Sequence, residues 1–63
     1  MLTLRLVEPN GYSVPGGLRT VAPDREAQAR TELEQLAVQD AAQWADFGYH
    51  PGDYRILTDP AGH

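Results

Sequence analysis

The chain has 63 residues and a formal net charge of −4 at neutral pH, and it is long enough for one domain with a single small core. It contains no cysteine, which excludes disulfides, thiolate metal sites and cysteine nucleophiles. The acidic balance argues against direct nucleic-acid binding, because that interaction needs basic groups against the phosphates.

The same composition predicts a cellular location. Secreted domains of this size usually depend on disulfides, so the lack of cysteine favours the cytoplasm. Residues 1–7 have neither a basic leader nor a long apolar run, and no stretch approaches the length of a membrane span. We therefore expect a cytoplasmic protein that does not bind membranes.

Two strands are predicted near the N-terminus. Leu2, Leu4 and Leu6 alternate with polar residues, which indicates a half-buried strand. Residues 9–11 read Pro-Asn-Gly and favour a tight turn, because Asn and Gly tolerate positive φ. A second strand is expected at residues 12–14 or 18–21. The Pro-Gly-Gly of residues 15–17 interrupts it, so this strand should be short or bulged and lie at an edge of the sheet.

A long helix is predicted from Pro23 to about Phe47, because this segment is rich in strong helix formers and Gly48 follows it. Residues 26, 30 and 34 alternate in charge at a spacing of four, which predicts weak ion pairs along one flank. At about 100° per residue, the apolar residues of the helix fall on one stripe. They are Ala29, Leu33, Leu36, Ala37, Trp44 and Phe47.

Asp40 lies near the middle of this apolar stripe, where a buried carboxylate is costly unless it is paired. It has three possible roles. Asp40 could be an acid with a shifted pKa in a functional site, or it could cap a break in the helix with Gln43 completing a capping box. The helix could also overhang the sheet and leave Asp40 in water. A break or an overhang is favoured, because isolated buried acids are rare.

The C-terminal part predicts a turn and a last strand. Pro51 and Gly52 occupy the middle of a turn, residues 54–58 form the strand, and residues 59–63 form a short polar tail. The expected fold is a single α+β domain over residues 1–63, in which one helix packs on a three-stranded, mainly antiparallel sheet. An apolar first strand in the centre gives the order 2-1-3. The alternative order 1-2-3 would place the last strand parallel to the second.

Few residues are suited to catalysis or metal binding. His50 and Asp53 could form a His–carboxylate pair, but a hydrolytic site also needs a nucleophile and an oxyanion hole. The single serine, Ser13, does not lie in a nucleophile-elbow pattern. His50 and Asp53 are also two metal ligands where three or four are required, and His63 is terminal. We therefore predict no catalytic residue, no metal site and no cofactor.

The predicted contact surface lies between the helix and the end of the last strand. Four of the five aromatic residues are concentrated there, at Trp44, Phe47, Tyr49 and Tyr54. The first two are expected in the core. The two tyrosines should be partly exposed with His50 and Asp53 at the rim. Ile56 and Leu57 point to opposite faces of the last strand, so one of them should lie outside the core. The predicted partner-binding residues are Tyr49, His50, Asp53, Tyr54, Ile56 and Leu57.

These features favour a non-catalytic protein-interaction module, either a small acidic accessory subunit or an inhibitor of a larger protein. Its partner would be another protein or a second copy of the chain. One alternative is a structural component of a large assembly, such as part of a phage virion. A further alternative is a phage-type inhibitor that mimics nucleic acid, although the acids of the helix project in different directions.

Overall fold

A computed structural model describes residues 1–60 of the chain, so residues 61–63 of the predicted tail lie outside the described part. The strands are β1 (Leu2–Val7), β2 (Ser13–Val21) and β3 (Arg55–Pro60), and the helix is α1 (Glu26–Gln43). Both strand pairs are antiparallel, and the order across the sheet is β2-β1-β3. The predicted α+β fold with the order 2-1-3 is therefore confirmed, and the order 1-2-3 is wrong.

β1 occupies the centre because its apolar alternation suits a strand that is paired on both sides. Leu4 and Leu6 are fully buried beneath α1, and Arg5 between them is exposed on the opposite face of the sheet. The partners of Arg5 across the sheet are Leu18 of β2 and Leu57 of β3. Both of these leucines are exposed, so the face of the sheet away from α1 carries apolar side chains that the described residues leave uncovered.

The connection between β1 and β2 contains the predicted turn. The amide of Gly11, at φ 95°, donates to the carbonyl of Glu8, and the amide of Tyr12 donates to the side chain of Asn10. β2 is one strand of nine residues and not one of two short alternatives. Its register against β1 shifts between Arg5 and Val7, so the predicted bulge is present at the Pro-Gly-Gly segment.

α1 packs on the sheet through a narrow stripe of small residues. A 3₁₀ turn at Pro23–Arg25 leads into the helix. The buried residues of α1 are Ala29, Leu33, Ala37 and Ala41, while Leu36 is only partly buried. Leu33 is therefore the one large side chain that the helix buries completely. Arg19 pairs with Glu32 at 3.1 Å, and Arg30 bonds to both Glu26 at 2.9 Å and Thr58 at 2.9 Å, so side chains tie α1 to both edge strands.

The helix was expected to run to about Phe47 and to bury Trp44 and Phe47 in the core, and both expectations are wrong. Trp44 and Phe47 are 38% and 72% exposed and do not belong to the core. The α-helical geometry ends at Gln43 and a 3₁₀ turn at Ala45–Phe47 follows, so the helical angle cannot be extended to these aromatics. Their side chains lie beside Glu8 and Asn10, past the end of β1.

Asp40 does not cap a break, because α1 runs through it without interruption. Its side chain is partly buried and accepts a hydrogen bond from the hydroxyl of Tyr54 at 2.5 Å. A tyrosine on the opposite side of the helix–sheet interface thus provides the partner that a carboxylate on this stripe requires.

β3 is an edge strand, and it continues through Asp59 and Pro60, two residues further than predicted. Ile56 packs against the core and Leu57 is 41% exposed on the open face of the sheet. Neither α1 nor any other helix within residues 1–60 has the length and apolar character needed to span a membrane.

Candidate functional site

Two exposed aromatic side chains, Trp44 and Phe47, meet past the C-terminal end of α1 in a cleft that we call the aromatic cleft. Its lining residues are Glu8, Asn10, Trp44, Phe47 and Tyr49, and its volume is about 220 Å³. The rings of Trp44 and Phe47 lie 5.7 Å apart between centroids and are tilted by 51°. This separation and tilt are favourable for an aromatic pair, so the two rings support each other without being buried.

Local backbone structure brings these aromatics together. The amide of Trp44 donates to the carbonyls of Asp40 and Ala41 and closes the last turn of the helix. The amide of Phe47 donates to the carbonyl of Trp44 within the following 3₁₀ turn. Gly48 then adopts φ 80°, a left-handed conformation that reverses the chain, and Tyr49 returns to the same cleft.

An acid–tyrosine cluster of Glu8, Asp40, Tyr49 and Tyr54 adjoins the aromatic cleft. The two tyrosine rings pack edge to face with centroids 6.4 Å apart. Burial, followed by the hydrogen bond to Asp40 and the charge of Asp40, raises the pKa of Tyr54 above its ordinary value of 10.0. Tyr54 therefore keeps its proton at neutral pH and acts as a hydrogen-bond donor, not as a base.

Glu8 joins the cluster from the end of β1. Burial raises the pKa of Glu8 above its ordinary value of 4.5, and the nearby charge of Asp40 raises it further. The hydroxyl of Tyr54 donates a single hydrogen bond, so the carboxyl groups of Glu8 and Asp40 can accept further hydrogen bonds. The arrangement is suited to receiving a cationic group that enters between the aromatic rings and Glu8.

We predict that Glu8→Gln stabilises the fold at pH 7 by less than about 1 kcal/mol, the range of partly exposed charge pairs. A carboxyl whose pKa is raised by folding favours the folded state below its unfolded-state pKa and loses this contribution as pH rises. The free energy of unfolding of Glu8→Gln minus that of the parent should therefore increase from pH 4 to pH 7. Urea denaturation across this range measures the difference.

Glu34→Gln is the matched control, since it removes the same charge from an exposed position on α1. A Glu8→Gln protein that is less stable than the parent at pH 7, or a difference that does not change with pH, would contradict the interaction between Glu8 and Asp40.

The structure separates the predicted partner-binding residues into different environments. Tyr49 and Tyr54 are half-buried against each other, and Trp44 and Phe47 are more exposed than either. His50 and Asp53 are exposed at the 3₁₀ turn Pro51–Asp53, where the amide of Asp53 donates to the carbonyl of His50.

Within residues 1–60, no hydrogen bond or ion pair joins the side chains of His50 and Asp53. Over the same range, no three His, Asp or Glu side chains are grouped closely enough to hold a metal ion. His63 lies outside the described residues.

Sequence reasoning missed Glu8 and the exposure of Trp44 and Phe47. Glu8 directly follows a strand at a turn, where an acid is unremarkable, and only the fold brings it to Asp40. The start of a 3₁₀ turn after Gln43 carries no strong signal in the sequence. Comparisons of the chain with models of protein families, with curated proteins and with solved structures found no match.

Proposed function

We propose that the chain is a non-catalytic protein-interaction module, a small acidic accessory subunit or inhibitor in the cytoplasm that binds a basic segment of a larger protein. The observation that carries this proposal is the exposed aromatic pair of Trp44 and Phe47 beside the carboxyl group of Glu8.

The distribution of apolar side chains supports an external partner. Burying a Phe side chain stabilises a fold by about 1.5–3 kcal/mol, yet Phe47 is left 72% exposed while α1 buries three alanines. A small domain that leaves two aromatic side chains exposed side by side in one cleft is suited to burying them against another surface. Trp and other aromatic residues of this kind dominate binding energy at protein interfaces.

Charge indicates the chemistry of the partner. The net charge of the chain is −4, and the cleft combines aromatic faces with the Glu8 carboxyl. Arginine fits this combination better than lysine, because its planar guanidinium stacks on an aromatic ring while it forks onto a carboxylate. We therefore propose an arginine-containing segment as the element that enters the aromatic cleft.

The acidic residues of α1 do not favour the alternative function as a nucleic-acid mimic. Glu26 and Glu32 are paired with Arg30 and Arg19, and Asp40 accepts the hydroxyl of Tyr54. A mimic needs acids that are free to face a basic protein groove, whereas these three already have partners within the chain.

The test is a screen of an immobilised random-peptide library with the parent protein and with Trp44→Ala. We expect enriched peptides to contain arginine and to be lost with Trp44→Ala or Phe47→Ala. Trp44 is the single tryptophan, so its fluorescence reports directly whether a selected peptide enters the cleft. Replacing arginine by citrulline in that peptide should weaken binding at least tenfold.

Leu18→Ala is the control, because Leu18 is an exposed apolar residue on the open face of the sheet and does not line the cleft. It should bind like the parent. Peptides without basic residues, or peptides that bind Trp44→Ala as well as the parent, would refute the proposed site.

A further inference from the structure

The outer edge of β3 presents a defined set of backbone groups. Pro60 lies opposite Leu2 and has no N–H, so this antiparallel pair is one of those that do not exchange hydrogen bonds. Hydrogen-bonded and non-bonded pairs alternate along the ladder. The residues of β3 that bond to β1 are therefore Arg55, Leu57 and Asp59, and the N–H and C=O groups of Ile56 and Thr58 point outward.

An independent contact supports this alternation. The amide of Glu8 donates to the carbonyl of Tyr12 at 2.7 Å, on the β2 side of the sheet. Because successive amides of a strand point to opposite sides, the amide of Val7 points to β3. Val7 is the partner of Arg55, which makes Val7 and Arg55 a hydrogen-bonded pair.

The opposite edge of the sheet is occupied by its own side chains. β2 carries the bulge at residues 14–17, and Pro15 lies within it. The guanidinium of Arg19 donates to the carbonyls of Gly16 at 2.8 Å and Leu18 at 3.0 Å. Within residues 1–60, β3 is therefore the edge at which a further strand can pair.

We propose that β3 pairs in antiparallel fashion with β3 of a second copy, about a two-fold axis at Leu57. Ile56 then lies opposite Thr58 of the other copy, and the two symmetric pairs use all four outward backbone groups of each strand. The result is one continuous six-stranded sheet with α1 of each copy on the same face.

The side chains of β3 complement themselves in this register. On the open face, Leu57 meets Leu57 of the second copy and covers a side chain that is 41% exposed. Arg55 lies opposite Asp59 of the second copy, twice by symmetry, and opposite charges that face each other across strands are stabilising. Within residues 1–60, neither Arg55 nor Asp59 takes part in an ion pair.

Neighbouring registers are poorer. An axis at Ile56 places Leu57 opposite Arg55. An axis at Thr58 places Leu57 opposite Asp59 and requires an N–H from Pro60. A shift by a single residue exchanges the two faces of the added strand. The axis at Leu57 is the register that satisfies backbone, charge and apolar contact together.

The helix side has room for the second strand. A groove of about 290 Å³ between α1 and β3 is lined in part by Val38, Tyr54 and Ile56, and Val38 is 55% exposed. Thr58 and Ile56 of the second copy would adjoin this groove. Because the β2 edge is blocked, pairing stops at two copies and does not continue into a filament.

Charge exchange tests the proposal and its register. Arg55→Asp gives β3 acids at both positions, and Asp59→Arg gives it arginines at both, so each variant repels itself in this register. Analytical ultracentrifugation at low salt should show the parent as a species of twice 6.9 kDa, and each single variant should raise the dimer dissociation constant roughly tenfold or more.

Complementation provides the decisive result. An equimolar mixture of the Arg55→Asp and Asp59→Arg chains should form a heterodimer, and the double variant Arg55→Asp/Asp59→Arg should regain the homodimer. A parent that stays monomeric at millimolar concentration, single variants that dimerise like the parent, or single variants that do not complement each other would each overturn the proposal.

Thr58→Pro gives a second readout that does not depend on charge. The amide of Thr58 points away from β1, so this proline removes an outward donor without breaking the ladder. Circular dichroism should show a retained fold and ultracentrifugation a monomer. A folded Thr58→Pro protein that dimerises like the parent would overturn pairing at this edge.

Discussion

Leu33→Ala is expected to have the largest effect on stability, a loss of about 2–5 kcal/mol in the free energy of unfolding. Leu33 is fully buried and is the one large side chain that α1 inserts completely into the core, where it packs with Leu4 and Leu6 of the central strand. The other buried residues of the helix are alanines, which cannot fill the space left behind.

A loss of this size is comparable to the whole stability of the domain. At roughly 0.05–0.15 kcal/mol per residue, a chain of this length is stable by about 3–9 kcal/mol. Leu33→Ala should therefore be largely unfolded at 37 °C, as judged by thermal denaturation followed by circular dichroism. The proposed dimer would also stabilise the folded state, so the measurement belongs at a concentration low enough to keep the protein monomeric.

Val38→Ala is the matched control on the same helix. Its side chain is 55% exposed, so shortening it should change stability by less than about 0.5 kcal/mol. Equal effects of Leu33→Ala and Val38→Ala would mean that α1 does not pack on the sheet through the stripe described above.

Gly17→Ala is expected to destabilise the fold by about 1–2 kcal/mol. A methyl group at Gly17 would lie 3.0 Å from Cβ of Leu6 and 3.0 Å from the carbonyl oxygen of Val14. Leu6 belongs to the central strand and Val14 to the bulge, so neither can move without disturbing the core. Overpacking costs about 1–3 kcal/mol, and the lower backbone entropy of the unfolded alanine chain offsets about 0.4–1 kcal/mol.

Gly52→Ala isolates the entropic part of this effect. Nothing lies within 4 Å of the position that its methyl group would take, and Gly52 is not among the glycines with positive φ. Gly52→Ala should therefore be neutral or stabilise the fold by up to about 1 kcal/mol in urea denaturation. If Gly17→Ala were as stable as Gly52→Ala, the close approach of the bulge to β1 would be wrong.

Local patterns were sufficient for the existence of the elements, and they favoured one of two strand orders. The alternation of Leu2, Leu4 and Leu6 has the period of a strand, the turn at residues 9–11 has its chemistry in Asn and Gly, and α1 is rich in good helix formers. The order 2-1-3, which the structure confirms, was favoured over 1-2-3 because the most apolar strand belongs where it is paired on both sides. These signals are local or compositional, so they can be recognised in the sequence without knowledge of tertiary contacts.

The candidate site depended on contacts that no local pattern encodes. Glu8, Asp40 and Tyr54 come from the end of β1, the last turn of α1 and the start of β3, and they meet because α1 crosses the sheet near that end. Asp40 was recognised as an anomaly on an apolar stripe, but its partner lies 14 positions away in the sequence. Hydrophobic periodicity detects a polar residue on an apolar stripe, but it cannot identify the hydrogen-bond partner of that residue.

The sequence by itself determined the α+β class and the placement of Leu57 or Ile56 outside the core, and it favoured a central β1 and an irregular β2, because period and turn chemistry are properties of neighbouring residues. The tertiary structure decided that Trp44 and Phe47 are exposed and that Asp40 is paired with Tyr54. These outcomes depend on where α1 ends relative to the end of β1. The relative position of these two ends is set by packing between the helix and the sheet. It cannot be predicted from the conformational propensities within either element.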